Sequence, residues 1–198
     1  MSLFIKTIVP DIHLANRPKI VQWFGRTLQK VSGWKVEGEI PNLKKFILVG
    51  APHTSNWDFV HALILIWAVD LKLNVLAKHT LFEIPFLKNI LSGIGGIPVD
   101  RKNPQLVVDE VSKLTERDEG VIIGLTPEGT RKRVEKWKSG FLRIAEQTDS
   151  KIVLIGIDFD KKICSFSGFF EPTGDNEQDL KFIKNFYKNF KPKIPSNF

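Results

Sequence analysis

The 198-residue sequence predicts one α/β domain, a mixed, mostly parallel sheet flanked by helices. Three observations predict it. Apolar runs of strand length recur at 45–50 (KFILVG), 121–125 (VIIGL) and 151–159 (KIVLIGIDF), the kind buried on both sides of a sheet. Segments of helical periodicity lie between them, with Gly, Pro and Asn at their boundaries. Strands alternating with helices form sheets with helices on their faces.

Taken in order, residues 18–31 (PKIVQWFGRTLQKV) form an amphipathic helix, with Pro18 at its first position and Gly33 just past its end. Ile20, Phe24, Leu28 and Val31 share one of its faces. Strand 45–50 follows, then a mostly buried helix over 56–71 and a short strand over 73–77. Residues 80–92 form a helix interrupted near Pro85, and 96–99 a strand leading to Asp100 and Arg101. Asn103 and Pro104 start a helix that runs to about Arg117. Strand 121–125, a short helix over 139–148 and strand 151–159 complete the alternation. Residues 163–169 (ICSFSGF) return antiparallel, and 177–190 form a final helix.

Composition narrows the function. A hydrophobic content of 42% and a charged content of 26% exclude a disordered, collagen-like or coiled-coil chain. The single cysteine, Cys164, excludes a disulfide framework and any multi-thiolate zinc site, and reads as a small apolar filler. The longest uncharged stretch is the 12 residues 46–57, where a spanning helix needs about 18–20. The opening MSLFIKTIVPD has too short an apolar run for a secretory signal, so the expectation is a cytoplasmic protein. The net charge is +7, carried by 29 Lys and Arg, beside 15 Phe and 5 Trp but one Tyr. Lys dominates the cations. Lys with Phe and Trp suits an anionic lipid surface or an acidic protein partner better than nucleic acid, and no nucleic-acid motif is present.

Three clusters carry chemistry. The first, 50–58 (GAPHTSNWD), follows a strand and opens a helix. His53 and Asp58 are five apart, which on one continuous helix would set them about 140° apart. His53 therefore belongs to the loop and Asp58 to the first helical turn, where the chain folds the two together. A His with a carboxylate partner is a general base, its tautomer set by the acid. No GxSxG nucleophile accompanies it, so the base acts on the substrate's own hydroxyl. Alone, the pair also fits a loop His bonded to a helix cap. The second cluster, 95–101 (GGIPVDR), has glycines for close backbone approach and Arg101 as a planar fork for phosphate; Asp100 pairs with it or turns the chain. The third, 125–131 (LTPEGTR), also follows a buried strand. Gly129 allows a tight turn, and Thr130 and Arg131 present a hydroxyl and a guanidinium to an anion. Glu128 holds the loop or orients Arg131. The run 131–138 (RKRVEKWK) carries five basic residues.

Taken together, H-x4-D at His53 and Asp58, GGIPVDR ending at Arg101, and Pro-Glu-Gly-Thr-Arg at 127–131 resemble the glycerolipid acyltransferase family, which includes the lysophosphatidic acid acyltransferases. The resemblance covers about residues 45–160 of a single acyltransferase domain over 1–198. It implies a glycerol-3-phosphate acyltransferase-like fold. It also implies transfer of a fatty acyl group from acyl-CoA or acyl carrier protein to a lysophospholipid hydroxyl, most simply that of lysophosphatidic acid, with another lysolipid such as an amino-acid lipid as the alternative acceptor. By that resemblance His53 is the base and Asp58 supports it. Arg101 binds the phosphate or head group, and Glu128, Gly129, Thr130 and Arg131 shape the acceptor site. No bound cofactor, metal or acyl-enzyme is expected.

Two departures stand out. Pro52 precedes the His where relatives often carry Asn or Ser, and strand 152–157 lacks the prolines of the family's fourth element. The expected placement is peripheral, on the inner face of the cytoplasmic membrane. Two helices are candidates for the lipid interface: 18–31, with Trp23 and Phe24 beside Lys19, Arg26 and Lys30, and 177–190, where Phe182, Phe186 and Phe190 lie at i, i+4 and i+8 and residues 181–193 hold five Lys. Ordinary core packing is the alternative for both. A different class, a metal-dependent phosphohydrolase, would use His53, Asp58 and His61, the last sharing a helix face with Asp58.

Overall fold

The structure is a computed structural model that describes residues 9–100, 103–117 and 120–198. Within these residues lie strands β1 (Lys35–Glu37), β2 (Lys45–Ala51), β3 (Asn74–Lys78), β4 (Ile97–Val99), β5 (Val121–Leu125), β6 (Lys151–Asp158) and β7 (Ile163–Phe170). The helices are α1 (Lys19–Ser32), α2 (Asn56–Val69), α3 (Pro85–Gly93), α4 (Pro104–Arg117), α5 (Gly140–Gln147) and α6 (Asn176–Tyr187). The strands form one sheet in the order β1-β7-β6-β2-β5-β3-β4. All neighbours pair parallel except β6 with β7, which gives the expected mixed, mostly parallel sheet. Pro85 does break its segment, leaving a 3-10 turn at His79–Leu81 before α3. Strand β1 was not anticipated, since three residues without an apolar run carry no periodicity.

Along β2 the side chains alternate between two faces. Phe46 and Leu48 join Leu63 and Ile66 of α2 and Leu91 of α3 in one core. Ile47, Val49 and Ala51 join Val107 and Val111 of α4, Phe141 and Ile144 of α5, and Ile183 and Tyr187 of α6 in the other. Covering both faces is what requires the central strands to be apolar throughout. It also sets the position of the site. β2 and β5 are parallel neighbours, yet β2 leads into α2 on one face and β5 to α5 on the other. Connections that leave adjacent strands on opposite faces open a crevice at the strands' carboxyl ends, where open α/β sheets bind ligands.

Helix α1 lies outside α2 and leaves much of its apolar face uncovered. Three of the four residues of its apolar stripe face outward: Ile20 is 66%, Phe24 47% and Val31 81% exposed, while Leu28 is half-buried and Gln22 and Gly25 are buried. The cause is the contact with α2. A Cβ on Gly25 would come within 2.6 Å of the Ala68 backbone nitrogen, so the two helices meet at backbone distance. Around that contact the bonds are polar. Asp70 accepts from the Arg17 N–H (3.2 Å) and from the Gln22 amide (3.2 Å), and Arg26 donates to the Ala68 carbonyl at 3.1 Å, one of the acceptors left over at the end of α2. Pro18 is the N-cap rather than the first helical residue.

Helix α6 ends at Tyr187, short of residue 190, and its aromatic stripe is divided. Phe182 is exposed and stacks on Phe170, whereas Phe186 and Phe190 pack against the second core. Cys164 is buried, and desolvation pushes its thiol up to about 12, as suits a filler. No helix among the described residues is long and apolar enough to cross a membrane.

Candidate active site

The loop after β2 is built by the start of α2. Ser55 caps the helix, its Oγ accepting the Trp57 N–H at 3.2 Å. Asp58, three residues on, accepts the Ser55 N–H at 2.7 Å, closing a reciprocal capping box. The same Asp58 Oδ2 accepts the Thr54 N–H at 2.6 Å and faces His53 Nδ1 at 3.1 Å. The five-residue spacing therefore works as expected, with His53 in the loop and Asp58 in the first turn. Asp58 is buried, and the His53 side chain is 21% exposed. With Nδ1 against a carboxylate, the bonding pattern assigns the proton to Nδ1 and leaves the Nε2 lone pair to accept one from a ligand.

Parallel pairing of Val49 with Leu125 sets residues 126–131 beside this loop. The chain turns there: the Gly129 N–H donates to Thr126 O at 3.2 Å, with Gly129 at φ 63°. The Lys138 N–H ties the far side of the turn to Pro127 O at 2.8 Å. Glu128 is buried, and its Oε1 accepts the His53 backbone N–H at 2.9 Å. This contact, which neither of the sequence readings of Glu128 named, ties the turn after β5 to the loop after β2. Burial pushes the Glu128 carboxyl above its ordinary value, with the His53 N–H pulling the other way. Thr130 is half-buried and its hydroxyl accepts the Lys132 N–H at 3.3 Å; Arg131 is exposed.

The second cluster lies further away. β4 is the edge strand, three strands from β2, or about 14 Å at the usual strand spacing. Its glycines serve close packing: a Cβ on Gly95 would meet Leu73 O at 2.4 Å, and one on Gly96 would meet Leu91 O at 2.8 Å. Asp100 turns the chain, accepting from the Asn103 side chain at 3.1 Å. Arg101 lies outside the described residues.

The hydrolase set His53, Asp58 and His61 is not assembled. His61 stacks on Trp34 at 4.1 Å and meets Phe159 edge-on at 5.6 Å, and burial lowers its pKa. Among the described residues no three His, Cys, Asp or Glu side chains converge as metal ligands. Three contributors were missed in the sequence: Ser55, Thr54 and Tyr187. Ser55-x-x-Asp58 was visible as a capping pattern. Tyr187, whose buried hydroxyl donates to Val49 O, gave no signal, because 138 residues separate the pair.

The chain is similar to several known proteins. The sequence model of the family described as Acyltransferase matches residues 34–158. The 1-acyl-sn-glycerol-3-phosphate acyltransferase of Haemophilus influenzae is 29% identical over 185 residues, covering 81% of this chain and 75% of its own length. The protein of the same name from Borreliella burgdorferi is 33% identical over 118 residues, covering 58% of this chain and 46% of its own. The crystal structure of the 1-acyl-sn-glycerophosphate (LPA) acyltransferase PlsC from Thermotoga maritima superposes with a TM-score of 0.60 at 20% identity, over 86% of this chain and 76% of that one.

Proposed function

From the premise that this chain belongs to the acyltransferase family, we propose that it acylates the free hydroxyl of a lysophospholipid, with lysophosphatidic acid as acceptor and phosphatidic acid as product. The observation that carries the chemistry is the His53 ring held by Asp58 beside the carboxyl ends of β2 and β5. The acceptor hydroxyl gives its proton to Nε2 as its oxygen attacks the thioester carbonyl. The tetrahedral adduct then collapses, the C–S bond breaks, and the departing thiolate takes the proton back from the imidazolium. One C–O bond has replaced one C–S bond, and no acyl group has passed through the protein. Asp58 stabilises the imidazolium while it exists.

In this reading Arg131 contacts the acceptor's anion, Thr130 and Gly129 shape the acceptor side of the site, and Arg101 binds the phosphate or head group, a role that rests on the family resemblance alone. The names of the two curated relatives support lysophosphatidic acid as acceptor. Acyl-CoA and acyl carrier protein are both anionic, as the +7 chain favours. The test is mass analysis of lipid made from lysophosphatidic acid with each donor in turn. Phosphatidic acid is expected with at least one. Free fatty acid in its place would make the protein a thioesterase and overturn the reading.

The lipid is met, in the same proposal, through α1. Its outward face carries Ile20, Trp23, Phe24 and Val31, with Trp57 (55% exposed) and Val60 on neighbouring α2. Lys19, Arg26 and Lys30 flank that face, and an apolar patch rimmed by cations fits an anionic bilayer surface. The paired substitution Trp23→Ser and Phe24→Ser is expected to weaken binding to phosphatidylglycerol-containing vesicles about tenfold or more, with little change in thermal stability. Unchanged binding would move the lipid contact elsewhere.

A further inference from the structure

The catalytic loop is gripped from a part of the chain far from it in sequence. After α6, the chain runs back across the carboxyl ends of β6 and β2. Phe190 lies over Gly156, where a Cβ would come within 2.1 Å of its ring. The Phe159 N–H donates to Lys191 O at 2.9 Å, and the Lys191 N–H donates to Asp158 Oδ2 at 3.3 Å. Beyond this anchor the segment reaches Thr54. The Ile194 N–H donates to the Thr54 hydroxyl at 3.2 Å, and the Asn197 side-chain amide donates to the Thr54 carbonyl at 3.2 Å. Phe198 then packs against Trp137, with ring centroids 6.2 Å apart.

Thr54 is the residue directly after His53 and is 2% exposed. Its own N–H is already committed to Asp58. Its carbonyl and hydroxyl would otherwise be buried acceptors without partners, a costly state. Three of its polar groups are thus satisfied from two directions, by Asp58 on one side and residues 194–197 on the other. With the Glu128 contact to the His53 N–H, the peptides on both sides of the His53 Cα are held.

We propose that Asn197, together with the backbone of Ile194, is a positioning element for His53: residues 191–198 act as a strap that holds the Thr54 peptide so that the imidazole meets the acceptor hydroxyl. Asn197 touches neither the ring nor the crevice contacts described above, so it acts through Thr54 and is not itself catalytic. The proposal rests on the reading of His53 as the base. A base displaced by about 1 Å can lose on the order of 100-fold in rate, so small losses of grip are visible in kcat.

The experiment is steady-state kinetics on Asn197→Asp and Thr54→Val, with Thr54→Ser as the conservative control. The carboxylate of Asn197→Asp has the shape of the amide but cannot donate to the Thr54 carbonyl. Thr54→Val keeps the volume but removes the acceptor for Ile194. Each is expected to lower kcat about tenfold with KM for lysophosphatidic acid within about twofold, and Thr54→Ser is expected to restore the wild-type rate. The decisive arm repeats Asn197→Asp in a His53→Ala background, where no further loss is expected because the strap acts through the imidazole. An unchanged kcat in Asn197→Asp, or an equal further loss in the His53→Ala background, would overturn the strap. Full activity in His53→Ala alone would instead overturn the base itself, a separate result from the same set.

Discussion

His53→Ala is expected to lower the rate of acyl transfer by about 100-fold or more, the usual scale for losing a general base, with KM for the acceptor little changed. The hydroxyl of a lysolipid is a weak nucleophile at neutral pH, and nothing else described in the crevice is arranged to take its proton. Glu128 is 5% exposed: its Oε1 accepts the His53 N–H, and its Oε2, though unpartnered, is buried away from solvent. Tyr187 is bonded to Val49 O, and its phenol is pushed well above its ordinary pKa, by burial first and by Glu128 second. Asp58→Asn is expected to be nearly as damaging for a different reason. The amide keeps the shape but loses the charge that supports the imidazolium, and Asp58 Oδ2 also accepts the Thr54 and Ser55 N–H groups. Kinetics of the two variants, alone and together, check the assignment. A double variant no worse than the worse single one is expected of residues acting as a unit.

Gly25→Leu is expected to be the most destabilising single change in the outer layer. The Cβ of any larger residue would meet the Ala68 backbone nitrogen at 2.6 Å and the Trp67 backbone carbon at 2.8 Å, atoms that cannot move without moving α2. Helix α1 must then lift, and the Asp70 contacts with Arg17 and Gln22 separate with it. Overpacking of this kind costs about 3 kcal/mol at its upper range, a fall in Tm of about 6–12 °C for a chain of this size. Gly140→Ala, at a helix start with nothing within 4 Å of the new Cβ, is the control and is expected to change stability by less than about 0.5 kcal/mol. Thermal unfolding of the two variants side by side separates the contact from a general intolerance of glycine replacement.

The same contact shows where the sequence was legible and where it was not. Buried strands such as VIIGL were plain, because a strand covered on both faces is written as an unbroken apolar run. The His53–Asp58 pair was also plain, because a loop followed directly by a helix start is a local arrangement. The burial of α1 was not. Its stripe of Ile20, Phe24 and Val31 has the period of a core face, and periodicity reports that a helix has an apolar side without saying what that side meets. Here Gly25 and the polar bonds to Asp70 decide that the other side is the one buried. The grip on Thr54 by residues 194–197 was illegible for a related reason: it joins positions about 140 apart in the chain through backbone groups that every residue carries. Phe186 and Phe190 were ambiguous in the same way as the α1 stripe, and the core of the second face claims them.

The most direct test of the account is a single-turnover measurement of thiol release from a labelled acyl thioester, with and without lysophosphatidic acid. Direct attack by a His53-activated hydroxyl predicts release only when acceptor is present, one thiol per lipid acylated, and no label left on the protein. A burst of thiol equal to the enzyme concentration without acceptor, with the acyl label bound covalently to the chain, would contradict it.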